Sequence, residues 1–353
     1  IHEYLGYLRP DNVLLTLSHR DVQTDRESRW FSTPYAVQKL DAGDLARQAA
    51  AADGALTLPA PNEFIPERVA LKASQGKADR PALLADEPAY RLWHLQDSAY
   101  PVPKASIYLE LLSPAANDNA RDAALAALQA RLVSDALNEY AYPASLAGLQ
   151  YSVESGARGL TVKVAGYDDK QRVLLVKVLQ TLLRDRFAAD RFDGIKTEML
   201  RDWANSAKQR PYLQLVDEMR ASLVAHSYRD EELRAALETA GPDDLERFVR
   251  DLRGSATLEL LVHGNFTADE ARGIAQLAQE ALGAEPPDGL PPVEVVHLPP
   301  GALLRGMSVD HPDSALMMYV QGAGSSHAER ARVALTAQIL SAPFFNELRT
   351  ERQ

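Results

Sequence analysis

Residues 104–114 alternate apolar and polar positions, with Ile107, Leu109 and Leu111 on one side, and a period of two predicts a strand with one buried face. Two further alternating runs, Leu149-Tyr151-Val153 and Leu160-Val162-Val164, flank the turn-prone Ser155-Gly156-Ala157-Arg158-Gly159, so 148–166 predicts a hairpin. Short apolar runs at 12–17, 256–265 and 314–321 read as further strands, the first followed by an aromatic anchor of Trp30, Phe31 and Tyr35. Helical periodicity covers 118–140, a segment from Asp168 with Val173, Leu174, Val178 and Leu182 on one face, then 190–208, 211–225, 230–239, 242–252 and 327–340. Asp168 with Gln171, and Thr267 with Glu270, have the spacing of capping boxes.

Proline-rich stretches divide these elements. Prolines 59, 61 and 66 and the six prolines between Pro286 and Pro300 mark two connectors, because proline fixes φ and removes a donor. The strand–loop–helix order at 106–139 recurs at 314–347, with Ser106 and Ser314, Leu132 and Leu340, and Asn138 and Asn346 each 208 positions apart. The runs at 13–19 and 258–264 also echo one another, as two closing strands. A period of that length signals a duplicated domain, since solenoid repeats run about 20–50 residues.

Composition narrows the function classes. With 353 residues, 46% hydrophobic, the chain exceeds one average domain. Its net charge of −11, with basic residues scattered, disfavours nucleic acid. No apolar run of about 18 residues is present to span a membrane, and residues 1–10 lack a signal pattern. The absence of cysteine removes disulfides, thiol catalysis and thiolate metal sites. The start at Ile1 and the stop at Gln353, in a helical pattern with no capping glycine or proline, suggest a chain cut at both ends.

Candidate chemistry is sparse. A helical zinc-peptidase site needs two histidines one turn apart beside a glutamate. The eight histidines (2, 19, 94, 226, 263, 297, 311 and 327) include no such pair, and His327-Ala328-Glu329 is the nearest approach. Gly322-Ala323-Gly324 reads as a plain turn because His327 stands where a dinucleotide fingerprint needs its third glycine. Ser255 lacks the glycine frame of a nucleophile elbow and reads as loop. Asn265-Phe266-Thr267 is a formal glycosylation sequon, but Thr267 is better used as an N-cap. Tyr140, Tyr142 and Tyr151 suit either a peptide-binding wall or the edge of a core. Arg349 offers a planar fork for a peptide carbonyl or oxyanion, against the plainer reading of an exposed helix-end arginine.

Several stretches in order, among them Trp30-Phe31-Ser32-Thr33-Pro34-Tyr35, Arg91-Leu92-Trp93-His94-Leu95, residues 103–114, residues 137–151, Leu260-Leu261-Val262-His263-Gly264-Asn265 and residues 344–353, resemble the long, four-domain form of the insulinase/pitrilysin family. The resemblance implies an α+β fold of duplicated α/β rolls with mostly antiparallel sheets, one copy complete and two partial. It implies the end of a second domain over 1–50, an inter-half linker over 51–82, a third, non-catalytic domain over 83–285, a connector over 286–302 and the start of a fourth domain over 303–353. The function implied is that of the non-catalytic C-terminal half of a zinc metalloendopeptidase, walling a substrate chamber and helping to hold peptides. Its partners would be peptide substrates and the N-terminal catalytic half. Zinc would be held outside this chain, and bacterial relatives suggest the periplasm. In the family an Arg-Thr-x-x-Gln stretch reaches towards the scissile peptide, and Arg349 and Gln353 match it. A catalytically silent scaffold subunit of a two-chain complex is the alternative.

Overall fold

Strands form where a neighbour supplies hydrogen bonds, and the two units of this chain differ sharply in that supply. The computed structural model describes residues 2–9, 12–41, 43, 45, 47, 60–73, 76, 78–283 and 295–352, and divides the chain into residues 1–61 and 62–353. In the first unit, helix α1 (His2–Leu5) precedes a two-stranded ribbon of β1 (Arg26–Glu27) and β2 (Pro34–Tyr35). The turn joining them is closed by Ser28 N to Thr33 O and Ser32 N to Ser28 O, with Ser32 at φ 49°. The strand predicted over 12–17 does not form, because no partner backbone among the described residues pairs with it, and Leu14 is 92% exposed. Trp30 and Phe31 are likewise exposed rather than anchored in a core.

The second unit is built on a six-stranded sheet of β3 (Ala82–Glu87), β4 (Tyr90–Gln96), β5 (Lys104–Leu112), β6 (Leu149–Gly156), β7 (Gly159–Tyr167) and β8 (Thr257–Gly264). The order is β3-β4-β8-β5-β7-β6, and every pairing is antiparallel except β4 with β8. The strand at 256–265, expected to close its domain, therefore lies in the middle of the sheet. Alternation in β5 behaves as predicted: Ala105, Ile107, Leu109 and Leu111 are buried, and Ile107 sits opposite Val164 and Val262 while Leu109 sits opposite Val162 and Leu260. The result is a mostly antiparallel α+β sheet whose one face is sealed and whose other face, with Tyr108, Lys163 and Glu259, is only partly covered.

Helices α2 (Ala120–Leu146), α3 (Gln171–Leu182), α4 (Ala189–Ser206), α5 (Pro211–Leu223), α6 (Asp230–Glu238), α7 (Pro242–Ser255), α8 (Ala268–Leu282) and α9 (His327–Phe345) follow. The core joins Leu128, Leu132 and Val133 of α2, Leu174 and Val178 of α3, Val249 and Leu252 of α7 and Ile274 of α8 to the sealed sheet face. Asn119 caps α2 by accepting from the Arg121 and Asp122 amides. The predicted box at α8 forms, with Thr267 Oγ1 accepting from Glu270 N and Glu270 accepting from Thr267 N.

The Asp168–Gln171 box does not form. Residues Asp168–Lys170 make a single 3₁₀ turn, and the buried Gln171 side chain instead donates to Ala105 O (2.7 Å) and Gly166 O (2.9 Å). Two main-chain carbonyls, one at the start of β5 and one near the end of β7, thereby compete successfully with the helix terminus. Gly159 shows why the hairpin needs glycine: φ is +147°, and a Cβ there would lie 1.9 Å from Leu111 O. The strand predicted at 314–321 is absent for the same reason as 12–17, with Leu316 92% exposed and no sheet beside it among the described residues.

Candidate functional site

Arg349 lies in the π-helical turn Asn346–Glu351 that continues α9. Its guanidinium stacks 5.3 Å from the Phe345 ring centre, while Arg352 pairs with Glu347 at 2.6 Å. The side chain is exposed, and no carboxylate partner is found for it among the described residues. Gln353, the other residue of the matched stretch, lies outside the described residues.

The three tyrosines divide. Tyr140 packs edge-on against buried Phe64, ring centres 5.4 Å apart at 83°, with Lys177 Nζ 5.2 Å from the same ring. Burial raises its phenol pKa, and neighbouring Glu63 adds to the shift. Burial also raises that of Tyr151, whose hydroxyl reaches Ser134 O at 3.4 Å. Both belong to the core edge, and only Tyr142 is exposed. Among the described residues no hydrogen bond or ring contact joins any of them to Arg349.

A polar cluster without a sequence motif ties residues 62–73 across the sheet end. Lys72 Nζ sits 2.9 Å from Asp168 Oδ2 and 2.8 Å from Glu270 Oε1, and 4.5 Å from the Phe266 ring. Asn265 accepts from Lys72 N and donates to Ala70 O. Asp169 accepts from the Glu67 and Arg68 amides and from Arg68 Nε. Burial would raise the Asp169 and Glu270 carboxyls, but these bonds more than offset it and hold both below the usual carboxylate range. The sequon was the one clue: Asn265 is buried and bonded through both its amide oxygen and its amide nitrogen, so it anchors the strap formed by residues 62–73 rather than accepting a glycan.

The remaining motifs resolve into structure. Ser255 ends α7 instead of lying in a loop, and its hydroxyl meets that of Ser113 at 2.6 Å. Glu329 accepts from Ala323 N, which makes the Gly322–Gly324 stretch a capped turn. His94 Nε2 contacts Phe266 O, and His19 and His311 each accept from an amide two residues on. Among the described residues no group of three or more His, Asp or Glu side chains is placed to hold a metal ion. The donors among the described residues do not fit zinc.

The family model described as the middle or third domain of peptidase M16 matches residues 1–236, and that described as the peptidase M16 inactive domain matches residues 239–353. The chain belongs to the M16 peptidase family. It is 31% identical to human insulin-degrading enzyme over 375 residues, covering 100% of this chain and 36% of that protein. It is 27% identical to the A-factor-processing enzyme of Saccharomyces cerevisiae over 366 residues, covering 99% of this chain and 35% of that one. The crystal structure of pitrilysin matches with a TM-score of 0.64 and 28% identity, over 76% of this chain and 28% of that chain. The chain thus spans just over a third of the length of these M16 relatives. The match to the pitrilysin structure and this mixed, mostly antiparallel sheet agree with the α+β fold that the sequence resemblance implied.

Proposed function

We propose that this chain is the non-catalytic half of an M16 zinc metalloendopeptidase, walling the chamber in which peptides are held, with Arg349 directed at the substrate backbone. The supporting observation is that an M16 model described as inactive accounts for residues 239–353, while no zinc donor set stands among the described residues. On this reading residues 1–50 end a second domain, 51–82 link the halves, 83–285 form a third domain, 286–302 connect and 303–353 begin a fourth. The metal belongs to an N-terminal catalytic half, so no catalytic step is assigned to zinc within this chain. The residues here bind and orient.

Peptide turnover with zinc, for this chain alone and joined to that half, tests the reading. The expected outcome is none alone and chelator-sensitive turnover together, with Arg349→Ala lowering kcat/KM by about 10² if its fork meets the developing oxyanion. Chelator-sensitive turnover by the chain alone overturns the proposal. An N-terminal half lacking a His-x-x-Glu-His site would favour the silent scaffold instead.

A further inference from the structure

Strand β6 stands at one end of the sheet order, paired with β7 over its whole length from Leu149 opposite Gly166 to Gly156 opposite Gly159 with no break in register. Among the described residues nothing pairs with its outer side, so alternate N–H and C=O groups of an unbroken eight-residue strand point outward. The opposite edge is built differently: β3 carries a register shift between Leu83 and Ala85, which spoils it as a template. β6 has neither a bulge nor the proline or lysine that blunts exposed edges.

Beside this edge, on the helix side that Val153 faces, a cavity of about 290 Å³ opens. Ala130, Val153 and Ile195 supply its apolar surface, and Arg131, Asp135 and Glu198 its charged rim. The rim cations are already committed: Arg131 lies 2.8 Å from Asp202 and 3.8 Å from Glu198, and Arg191 pairs with Asp135. Three carboxylates thus face two guanidiniums, an excess of one negative charge.

We propose that β6 and this cavity form a binding site for an extended basic peptide. The peptide adds as a further strand, and one lysine or arginine lays its stem over Ala130, Val153 and Ile195 with its cation at the rim. The backbone edge demands a polypeptide, an added strand about 4.8 Å out carries alternate side chains over the cavity, and the surplus carboxylate selects a cation. The inference deepens the reading that this chain holds peptide substrates, by naming where and which.

The test is fluorescence anisotropy of a labelled decapeptide rich in Thr and Val with one central Lys, titrated with the chain. Two versions N-methylated at alternate residues probe the edge. One set should lose about tenfold or more in affinity and the other little, since only one set of N–H groups faces β6. Glu198, 63% exposed, can be replaced without disturbing the core. Glu198→Lys should weaken the Lys peptide about three- to fivefold and strengthen a Glu-for-Lys peptide. Equal effects of the two methylation patterns, or affinities indifferent to Glu198→Lys, overturn the site while leaving peptide holding intact. No binding of any peptide defeats both. Self-association by sedimentation that the Lys peptide fails to displace assigns the edge to a second copy and also overturns the proposal.

Discussion

Removing the Lys72 ammonium should destabilise the second unit, because it joins three groups at once. Its ammonium bridges Asp168, 5% exposed, and Glu270, and lies over Phe266. Asp168 Oδ1 already has no partner, so Lys72→Met leaves a buried carboxylate with neither oxygen paired. Breaking a fully buried pair this way costs about 3–5 kcal/mol. Lys72 is 24% and Glu270 36% exposed, and solvent screening brings the expectation to about 2 kcal/mol. For a domain of this size that is a fall in Tm of roughly 4–8 °C, measurable by calorimetry. Hydrogen exchange should accelerate at the Glu67, Arg68 and Lys72 amides, which Asp169 and Asn265 hold only while the strap is seated. The pH dependence gives a second check. Glu270 has a lowered pKa in the folded chain, so its share of the stability is present above the ordinary glutamate range and lost as pH falls through the lowered value. The gap between wild type and Lys72→Met should therefore shrink in acid. An unchanged Tm, or a gap that persists undiminished in acid, would refute the bridge.

Two further outcomes follow from the same geometry. Gly159→Ala, whose Cβ would meet Leu111 O at 1.9 Å with φ at +147°, should destabilise by more than about 3 kcal/mol or leave the chain insoluble, as denaturant unfolding would show. Between pH 7 and 3 the denaturation midpoint should fall as Glu218, held low chiefly by Arg229, and Asp244, held low chiefly by the Gly241 amide, take up protons together with Asp169 and Glu270. All four bind protons more readily unfolded than folded. Burial raises Asp122 and Asp217 and gives them the opposite sign, so a midpoint rising on acidification would mean that those two dominate.

The elements of the sheet were legible because their signals are local. Ile107, Leu109 and Leu111 alternate, Gly156 and Gly159 bracket the turn, and Thr267 and Glu270 sit three apart. What no local pattern carries is which strand lies beside which: the parallel placement of β8 against β4 joins residues some 170 apart, as Leu92 opposite Leu260. The strap clamp is hidden for the same reason, since Lys72 meets Asn265 and Glu270 only after the sheet has formed. Gln171 was misread because a capping pattern counts only nearby amides, and the carbonyls of Ala105 and Gly166 arrive from outside the helix. Arg349 is proposed through family resemblance alone, its sequence context being that of any helix-end arginine.

The strand errors at 12–17 and 314–321 carry the more general point, because composition there was as favourable as in β5. Leu132 and Leu340 stand 208 positions apart in the sequence repeat, yet Leu132 is fully buried beneath the sheet and Leu340 is 57% exposed on α9. Among the described residues no strand forms between 303 and 352, whereas the sheet lies against Leu132. Burying a carboxylate without a partner costs several kcal/mol, whereas a surface substitution stays within about 0.5 kcal/mol. Leu132→Glu should therefore abolish cooperative unfolding of the chain, and Leu340→Glu should leave the midpoint in denaturant where it was. If the two variants were equally damaging, α9 would be covered in solution, and the difference in burial between Leu132 and Leu340 would not hold.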